Sequence, residues 1–401
     1  MCEKNPRPFH LEIGKAVVIA QAEVGDQVWG HFQFPRLFFT ESGAILAEWD
    51  YSTDTIEYNG VELSAVSEDG GCSWRKKTDS DRRRYFVMKN GKYFAGFEKK
   101  GAYPTDYLDK YTPAYSWGQN KLFFAQDITE SEDITVYARE ICPETGEETV
   151  FSCTVHWPNR PLMQYSGKRV YPSSMVFALC NSCGLLEWNG EMYFVLYTCG
   201  FDAEAGSREE AVASCSPSYN IYVFRSTDCA RTWEYVSQVR SNEEMFDPSN
   251  PCDGPCEPVM RQMPDGSVVM LMRTGSENPS YITRSVDGCR SWSKPQRFDD
   301  IGVFPQLLSL PCGVTLASYG RPSLKIRATS DPCGMEWEDP TEIPLSAPAE
   351  TDKWSKSCFY TGLLPLNDTE ALLIYSDFRF PNAEGIGVKS ILCRRISVIP
   401  D

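Results

Sequence analysis

What this 401-residue chain lacks narrows the field first. No apolar run reaches the length of about 18 residues that a membrane-spanning helix needs, so no membrane role is expected. The opening, Met1-Cys2-Glu3-Lys4-Asn5-Pro6, has no basic-then-apolar pattern of a secretory leader, and the chain reads as soluble and cytoplasmic. Positive charge is scarce: 39 Lys and Arg stand against 55 Asp and Glu, a formal net charge of −16. Phosphate backbones and anionic lipid need clustered cations, so nucleic acid is not an expected partner. An anionic ligand has to be caught by a local arginine cluster. Histidine is rarer still, with His10, His31 and His156 at no metal-ligand spacing. Cys180-Asn-Ser-Cys183 and Cys252 with Cys256 lie too far apart in the chain to make a zinc site by spacing, and neither metal nor organic cofactor is expected. The 16 cysteines do not imply a disulfide scaffold, because a chain this long has its own core and shows no leader; reduced thiols are expected.

Short strands are what the chain has in abundance. Aromatic residues make up 13% of it, Gly and Pro number 28 and 27, and most apolar runs are short and bounded by turn residues. One motif recurs: Ser or Thr, any residue, Asp, a turn, then Trp. It appears as Ser67-Glu-Asp69-Gly-Gly71-Cys-Ser73-Trp74, Ser226-Thr-Asp228-Cys-Ala-Arg-Thr232-Trp233 and Ser285-Val-Asp287-Gly-Cys-Arg-Ser291-Trp292, and more loosely as Thr329-Ser-Asp331 through Trp337. The Asp carboxylate is expected to accept backbone N–H bonds across the turn, the hydroxyl to add another bond, and the Trp to pack beneath.

A second element keeps step with the first: an apolar run, a tight turn and another apolar run. It occurs around Gly43, Asn189-Gly190, Asp265-Gly266, Cys312-Gly313 and Asn367-Asp368, with Asn90-Gly91 either a sixth copy or the outer part of the first repeat. Six hairpins in 401 residues imply repeats of roughly 65 residues, each with room for four strands. The expectation is an all-β, six-bladed β-propeller with four-stranded antiparallel blades, residues 1–401 forming one domain. A pair of β-sandwiches is the alternative, and the recurrence of one turn motif in register with the hairpins speaks against it.

These turns resemble the Asp boxes of the sialidase (neuraminidase) superfamily, where they sit on the outer rim and are structural. More specific is Glu257-Pro-Val-Met-Arg-Gln-Met-Pro-Asp265-Gly266-Ser-Val-Val-Met-Leu-Met-Arg273, similar to the sialidase stretch that joins the glutamate beside the nucleophile to the second pocket arginine. Arg321-Pro-Ser-Leu324 resembles the context of the third pocket arginine, and Tyr360-Thr-Gly-Leu363 that of the nucleophilic tyrosine. Two departures accompany these matches. In Phe32-Gln33-Phe34-Pro35 the first pocket arginine is replaced by Gln33, and in Tyr375-Ser376-Asp377 its supporting glutamate is replaced by Ser376. Loss of the pair together is physically consistent, since a buried carboxylate without its arginine is costly. Each charge-assisted bond of the arginine clamp contributes about 1.5–3 kcal/mol, so one fewer weakens sialic acid binding by roughly one to two powers of ten. Arg36 is near the missing position but three residues on, and needs a bulge to stand in.

The resemblance implies roles. Tyr360 is the expected nucleophile, a phenol that ionises near pH 10 and so needs Glu257 to take its proton. A neutral phenol avoids repulsion from an anionic sugar, and sialidases are the tyrosine-using exception among glycosidases. The general acid is expected at Asp54, with Glu57 as second choice. Arg273, Arg321, Arg36 and Gln33 are the expected substrate-binding residues. Taken singly, a tyrosine is usually a core aromatic and an arginine a surface ion pair; position in the repeat is what singles these out. The leading function is an exo-acting glycoside hydrolase on a terminal sialic-acid-like or other acidic sugar. A lyase acting on acidic polysaccharide, and a propeller that only binds glycan or protein, are the alternatives.

Overall fold

The structure, a computed structural model, describes residues 8–53, 61–98, 108–128, 134–165, 169–171, 185–242, 244–245, 254–275 and 278–401. Their regular structure is almost wholly β, with one short helix, Arg208–Ala213, capped by the Ser207 hydroxyl. Two compact units make up the chain: Met1–Arg84, Met263–Leu271 and Phe298–Asp401 form the first, and Tyr85–Gln262 and Met272–Arg297 the second.

In the first unit, strands His31–Phe39, Ile45–Tyr51, Val61–Ser67 and Arg75–Lys76 form one four-stranded sheet in chain order, and Val303–Ser309, Thr315–Gly320, Leu324–Thr329 and Thr341–Ile343 form another. The last sheet runs Thr361–Pro365, Glu370–Pro381 and Gly387–Pro400, and its fourth strand is Phe9–Ile13 from the other end of the chain, with Val17–Gln21 paired further along Gly387–Pro400. Strands Cys256–Gln262, Val268–Arg273, Ser280–Ser285 and Gln296–Asp299 form a further four-stranded sheet.

In the second unit two four-stranded meanders share one sheet. Strands 86–87, 93–97, 134–141 and 148–156 join strands 185–188, 191–200, 216–226 and 232–239 through a parallel pairing of Thr154–His156 with Thr232–Glu234. The strictly antiparallel four-stranded expectation fails here, because the fourth strands of two repeats meet edge to edge and satisfy each other's backbone groups. The sequence reading also missed a sheet of Tyr115–Trp117, Asn120–Phe124, Pro161–Tyr165 and Arg169–Tyr171, whose first two strands are inserted within one repeat and whose last two follow it.

The hairpin glycines behave as their sequence context requires. Gly43, Gly91, Gly190, Gly266 and Gly313 all have positive φ, between +74° and +90°, and each lies between the first two strands of its sheet. Asn90-Gly91 therefore opens its own repeat and is not the outer part of the preceding one. The Asp turns stand between third and fourth strands. In the first, the Asp69 carboxylate accepts the N–H groups of Cys72 and Ser73 and both the Ser67 and Ser73 hydroxyls, while Ser67 Oγ accepts the Gly71 N–H at 2.8 Å. Asp228 and Asp287 repeat this pattern. In the looser copy Asp331 accepts from Cys333, Met335 and Glu336. The tryptophans pack as expected: Trp233 is fully buried in the core of the second unit, and Trp292 Nε1 donates to Ser237 Oγ at 3.0 Å. The last sheet has no such turn because its fourth strand does not follow its third in the chain. No helix among the described residues is long and apolar enough to cross a membrane.

These turns are acid-sensitive. Hydrogen bonds from Ser73 hold the Asp69 carboxyl down at about 2, and at Asp287 burial pushes upward but the Ser291 and Ser285 bonds outweigh it, leaving it also at about 2. A carboxyl lowered on folding stabilises the protein above its unfolded value, about 3.9, and loses that contribution as pH falls through its folded value. Asp287→Asn is expected to lower the melting midpoint by a few degrees at neutral pH. The gap from wild type should stay constant down to about pH 4 and close toward pH 2, measured by denaturation across that range.

Candidate functional site

The residues singled out by sequence fall at one kind of place in the sheets. First and second strands are antiparallel, so the start of the first and the end of the second share an edge. His31 pairs with Tyr51, Val303 with Gly320, and Thr361 with Tyr375. Gln33 lies at such a start, Arg321 just beyond such an end, and Tyr360 just before such a start. Glu257 and Arg273 occupy the equivalent positions on Cys256–Gln262 and Val268–Arg273.

A repeated backbone distortion re-aims the side chains there. Phe34, Glu257 and Phe304 each precede a proline and have φ of 52°, 45° and 43°, and Phe359, just before Tyr360, has 64°. The ladders slip at the same places, between Gln33 and Arg36 and between Val303 and Gln306. A bulge of this kind turns a strand residue away from the strict two-residue alternation. The bulge that Arg36 needs is thus present.

Within the first unit the tyrosine is held tightly. The Tyr360 ring stacks on Phe304, centroids 4.4 Å apart at 3°, and meets Phe34 edge-on at 4.9 Å. Its segment is tied down by the neighbouring strand: Ser357 Oγ donates to the Ser376 carbonyl at 2.6 Å, and the Cys358 N–H and thiol contact Ser376 Oγ. The Cys358 thiol, raised by burial, also receives the backbone N–H groups of Tyr360 and Phe34 and lies within reach of the Arg321 charge. A Cβ on Gly320 would sit 2.2 Å from the Phe359 carbonyl oxygen, so only glycine lets these two segments approach. Arg321 follows directly, 5% exposed, with its guanidinium 4.1 Å over the Trp354 ring.

The other predicted residues have definite surroundings. Arg36 is bound by Asp50 at 3.0 Å and Glu62 at 2.5 Å, which commits its charge within the sheet. Glu48 beside it is pushed up by burial and by Glu62, with Arg83 and Arg36 opposing. In the second unit Arg273 donates from Nη1 to Glu257 at 2.8 Å and from Nε to the Gly275 carbonyl at 2.9 Å; both side chains of this pair are buried. Asp54 and Glu57 lie outside the described residues. Gln33 is wholly buried, and among the described residues neither its amide nitrogen nor its amide oxygen has a hydrogen-bond partner. Ser376 does not fill that role, since its hydroxyl is engaged by the Cys358 segment.

Sequence reasoning passed over five residues of the same unit, Trp29, Trp354, Phe378, His31 and Asp26. Trp29 packs edge-on against Trp354 at 5.5 Å and Phe378 at 6.3 Å, with the two tryptophans 36% and 39% exposed. His31 Nδ1 donates to Asp26 Oδ2 at 2.9 Å. Nothing in linear spacing marks these contacts, which arise between segments more than 300 residues apart or across a loop. Among the described residues no group of His, Cys, Asp and Glu is arranged to hold a metal, and every described cysteine is a free thiol.

Comparison with known proteins accords with the repeat. Residues 205–347, which contain three of the four Asp turns, match the family described as a BNR repeat-like domain. No curated protein matches the chain. Among solved structures, the chain is similar to a protein of unknown function from Dyadobacter fermentans, at 16% identity and a TM-score of 0.54, covering 97% of this chain and 99% of that one. It is also similar to an α-L-arabinanase from Penicillium chrysogenum complexed with arabinobiose, at 15% identity and 0.49 over 95% and 98% of the two chains. A Trypanosoma rangeli sialidase mutant displaying trans-sialidase activity gives 12% and 0.44 over 97% of this chain and 58% of its own. At such identities the likeness concerns the fold.

A buried carboxamide without partners costs about 1–3 kcal/mol against an apolar group of the same shape. Gln33→Met is therefore expected to raise stability to denaturant by about that amount. An unchanged or lowered midpoint would show that the amide is satisfied in solution.

Proposed function

We propose that residues 1–401 form a single six-bladed β-propeller and that the protein is an exo-acting glycoside hydrolase releasing a terminal acidic sugar related to sialic acid. Support for the blades comes from the six successive meanders, with the hairpin always between first and second strands and the N-terminal strand completing the last.

The observation that carries the hydrolase reading is Tyr360, held between Phe304 and Phe34 just before a first strand, beside a Cys358 thiol that feels the charge of the buried Arg321. A phenol whose ring cannot swing is pre-positioned for attack, and positioning of this kind supplies much of a catalytic barrier reduction. In the proposed reaction Tyr360 Oη bonds to the anomeric carbon as the glycosidic C–O bond breaks. Glu257 accepts the phenolic proton, and an acid delivers a proton to the departing oxygen. Water then attacks the anomeric carbon, the tyrosine–sugar bond breaks, and the phenol is reformed. Asp54 is the sequence-based choice for the acid. Arg321 and Arg273 are assigned to the substrate carboxylate. Gln33 replaces a cation with a neutral amide, which favours a sugar whose recognition depends less on its charge, and the Arg36 charge is already balanced by Asp50 and Glu62.

Fluorogenic glycosides of sialic acid, its deaminated relative and uronic acids, offered to wild type and Tyr360→Phe, test this. Wild-type turnover that falls on the order of 10²–10⁴-fold in Tyr360→Phe is the expected result. Turnover unchanged by the substitution removes the nucleophile, an unsaturated product indicates eliminative cleavage, and binding without turnover indicates a glycan-binding module.

A further inference from the structure

The hydrolase reading needs a proton donor for the leaving group, and the first unit holds a mostly buried His–Asp pair. His31 opens the strand that carries Phe34, the residue that packs on Tyr360, and the ladder slips between His31 and Gln33. Its Nδ1 donates to Asp26 Oδ2 at 2.9 Å, and its ring stacks on Tyr51 with centroids 3.9 Å apart. Both side chains are mostly buried, 17% exposed for His31 and 11% for Asp26. Bonding at Nδ1 fixes the tautomer and leaves Nε2 as the atom that carries the mobile proton. Among the described residues Nε2 has no partner.

Asp26 is itself secured. Its Oδ1 accepts the Val28 N–H at 3.0 Å and lies 3.7 Å from Lys389 Nζ. Burial pushes the Asp26 carboxyl up, but the His31 bond, the Val28 N–H and the lysine charge together hold it low, so it stays ionised and able to steady an imidazolium. Lys389 also links the pair to the tyrosine segment. Its ammonium lies 5.2 Å over Phe378, which packs on Trp29, and it interacts electrostatically with Cys358, the thiol that receives the Tyr360 N–H. The His31–Asp26 pair, Lys389 and the Cys358–Tyr360 segment thus belong to a single unit.

We propose that His31, in place of Asp54, is the proton-transfer residue of this site and Asp26 its positioning partner, an inference that rests on the hydrolase reading. When the tyrosine–sugar bond forms, the proton on Nε2 passes to the glycosidic oxygen, which leaves as an alcohol. The neutral imidazole then takes a proton from the water that attacks the anomeric carbon, and Nε2–H is restored as the tyrosine departs. Asp26 and Tyr51 face the imidazole, Lys389 pairs with Asp26, and the Arg36–Asp50–Glu62 group lies further along the same sheet.

The test compares wild type, His31→Gln and Asp26→Asn on one sugar with two leaving groups, 4-nitrophenol and a second sugar, each across pH. A good leaving group needs no proton. His31→Gln should therefore lose about 10²–10⁴-fold in kcat/KM on the sugar leaving group, less than about ten-fold on nitrophenol, and the alkaline limb of the profile. Asp26→Asn should keep that limb but move it to lower pH, because the imidazolium loses its carboxylate. Melting curves establish that the variants fold, and if His31→Gln does not, the Asp26→Asn shift decides alone. Equal losses on both leaving groups, or pH profiles that do not move, overturn the pair while the hydrolase stands. No wild-type turnover of either substrate overturns the hydrolase reading and the pair with it.

Discussion

Much of this structure depends on a backbone conformation that costs free energy. Phe34, Glu257, Phe304 and Phe359 hold positive φ where first strands begin, and three of them precede proline. A non-glycine residue in that region costs on the order of 1–3 kcal/mol and persists only where its surroundings over-determine it. Here they do. Phe34 and Phe304 bury their rings against Tyr360, Phe359 is fully buried with Gly320 beneath it, and the Cys358 thiol draws together the N–H groups of residues 34 and 360. The ladder slips that follow free a few side chains from strand alternation, and the residues with candidate chemistry are among them.

Rigid turns between other strands of the same sheets accompany this strain. The Asp turns satisfy several backbone donors with one carboxylate and lock the third and fourth strands, while the positive-φ glycines close the first hairpins. The same division separates the residues electrostatically. Carboxylates in the turns are kept ionised by N–H and hydroxyl donors, whereas Glu48 and Asp377, within second strands, are pushed up by burial. Arginine charge is treated unevenly: Arg36 and Arg273 are matched to carboxylates, and Arg321 is laid across an indole.

How much could be read in advance varied with the range of the interaction. The Ser67, Ser226 and Ser285 turns were legible because all their bonds close within five residues, and the hairpins because an Asn-Gly or Asp-Gly pair selects its own conformation. The parallel seam between Thr154–His156 and Thr232–Glu234 was not, since it depends on which strand edges happen to meet. Neither was the inserted sheet of residues 115–171, whose short strands lack the turn motif that marked the repeats. Tyr360 and Arg321 were singled out as candidates through their place in the repeat. His31 was overlooked because its partner Asp26 lies across a loop and its ring neighbour Tyr51 is brought in by strand pairing.

Sequence by itself determined the all-β character, the repeat, its hairpins and its Asp turns. Each of those is a local property, decided by φ preference, side-chain length and bonds that span a few residues. Tertiary structure alone decided that Gln33 is buried without a partner, that Arg36 is spent on Asp50 and Glu62, that Phe304 faces Tyr360, and that an aspartate steadies His31. Such outcomes depend on which distant segments share a strand edge, and no spacing along the chain encodes that directly.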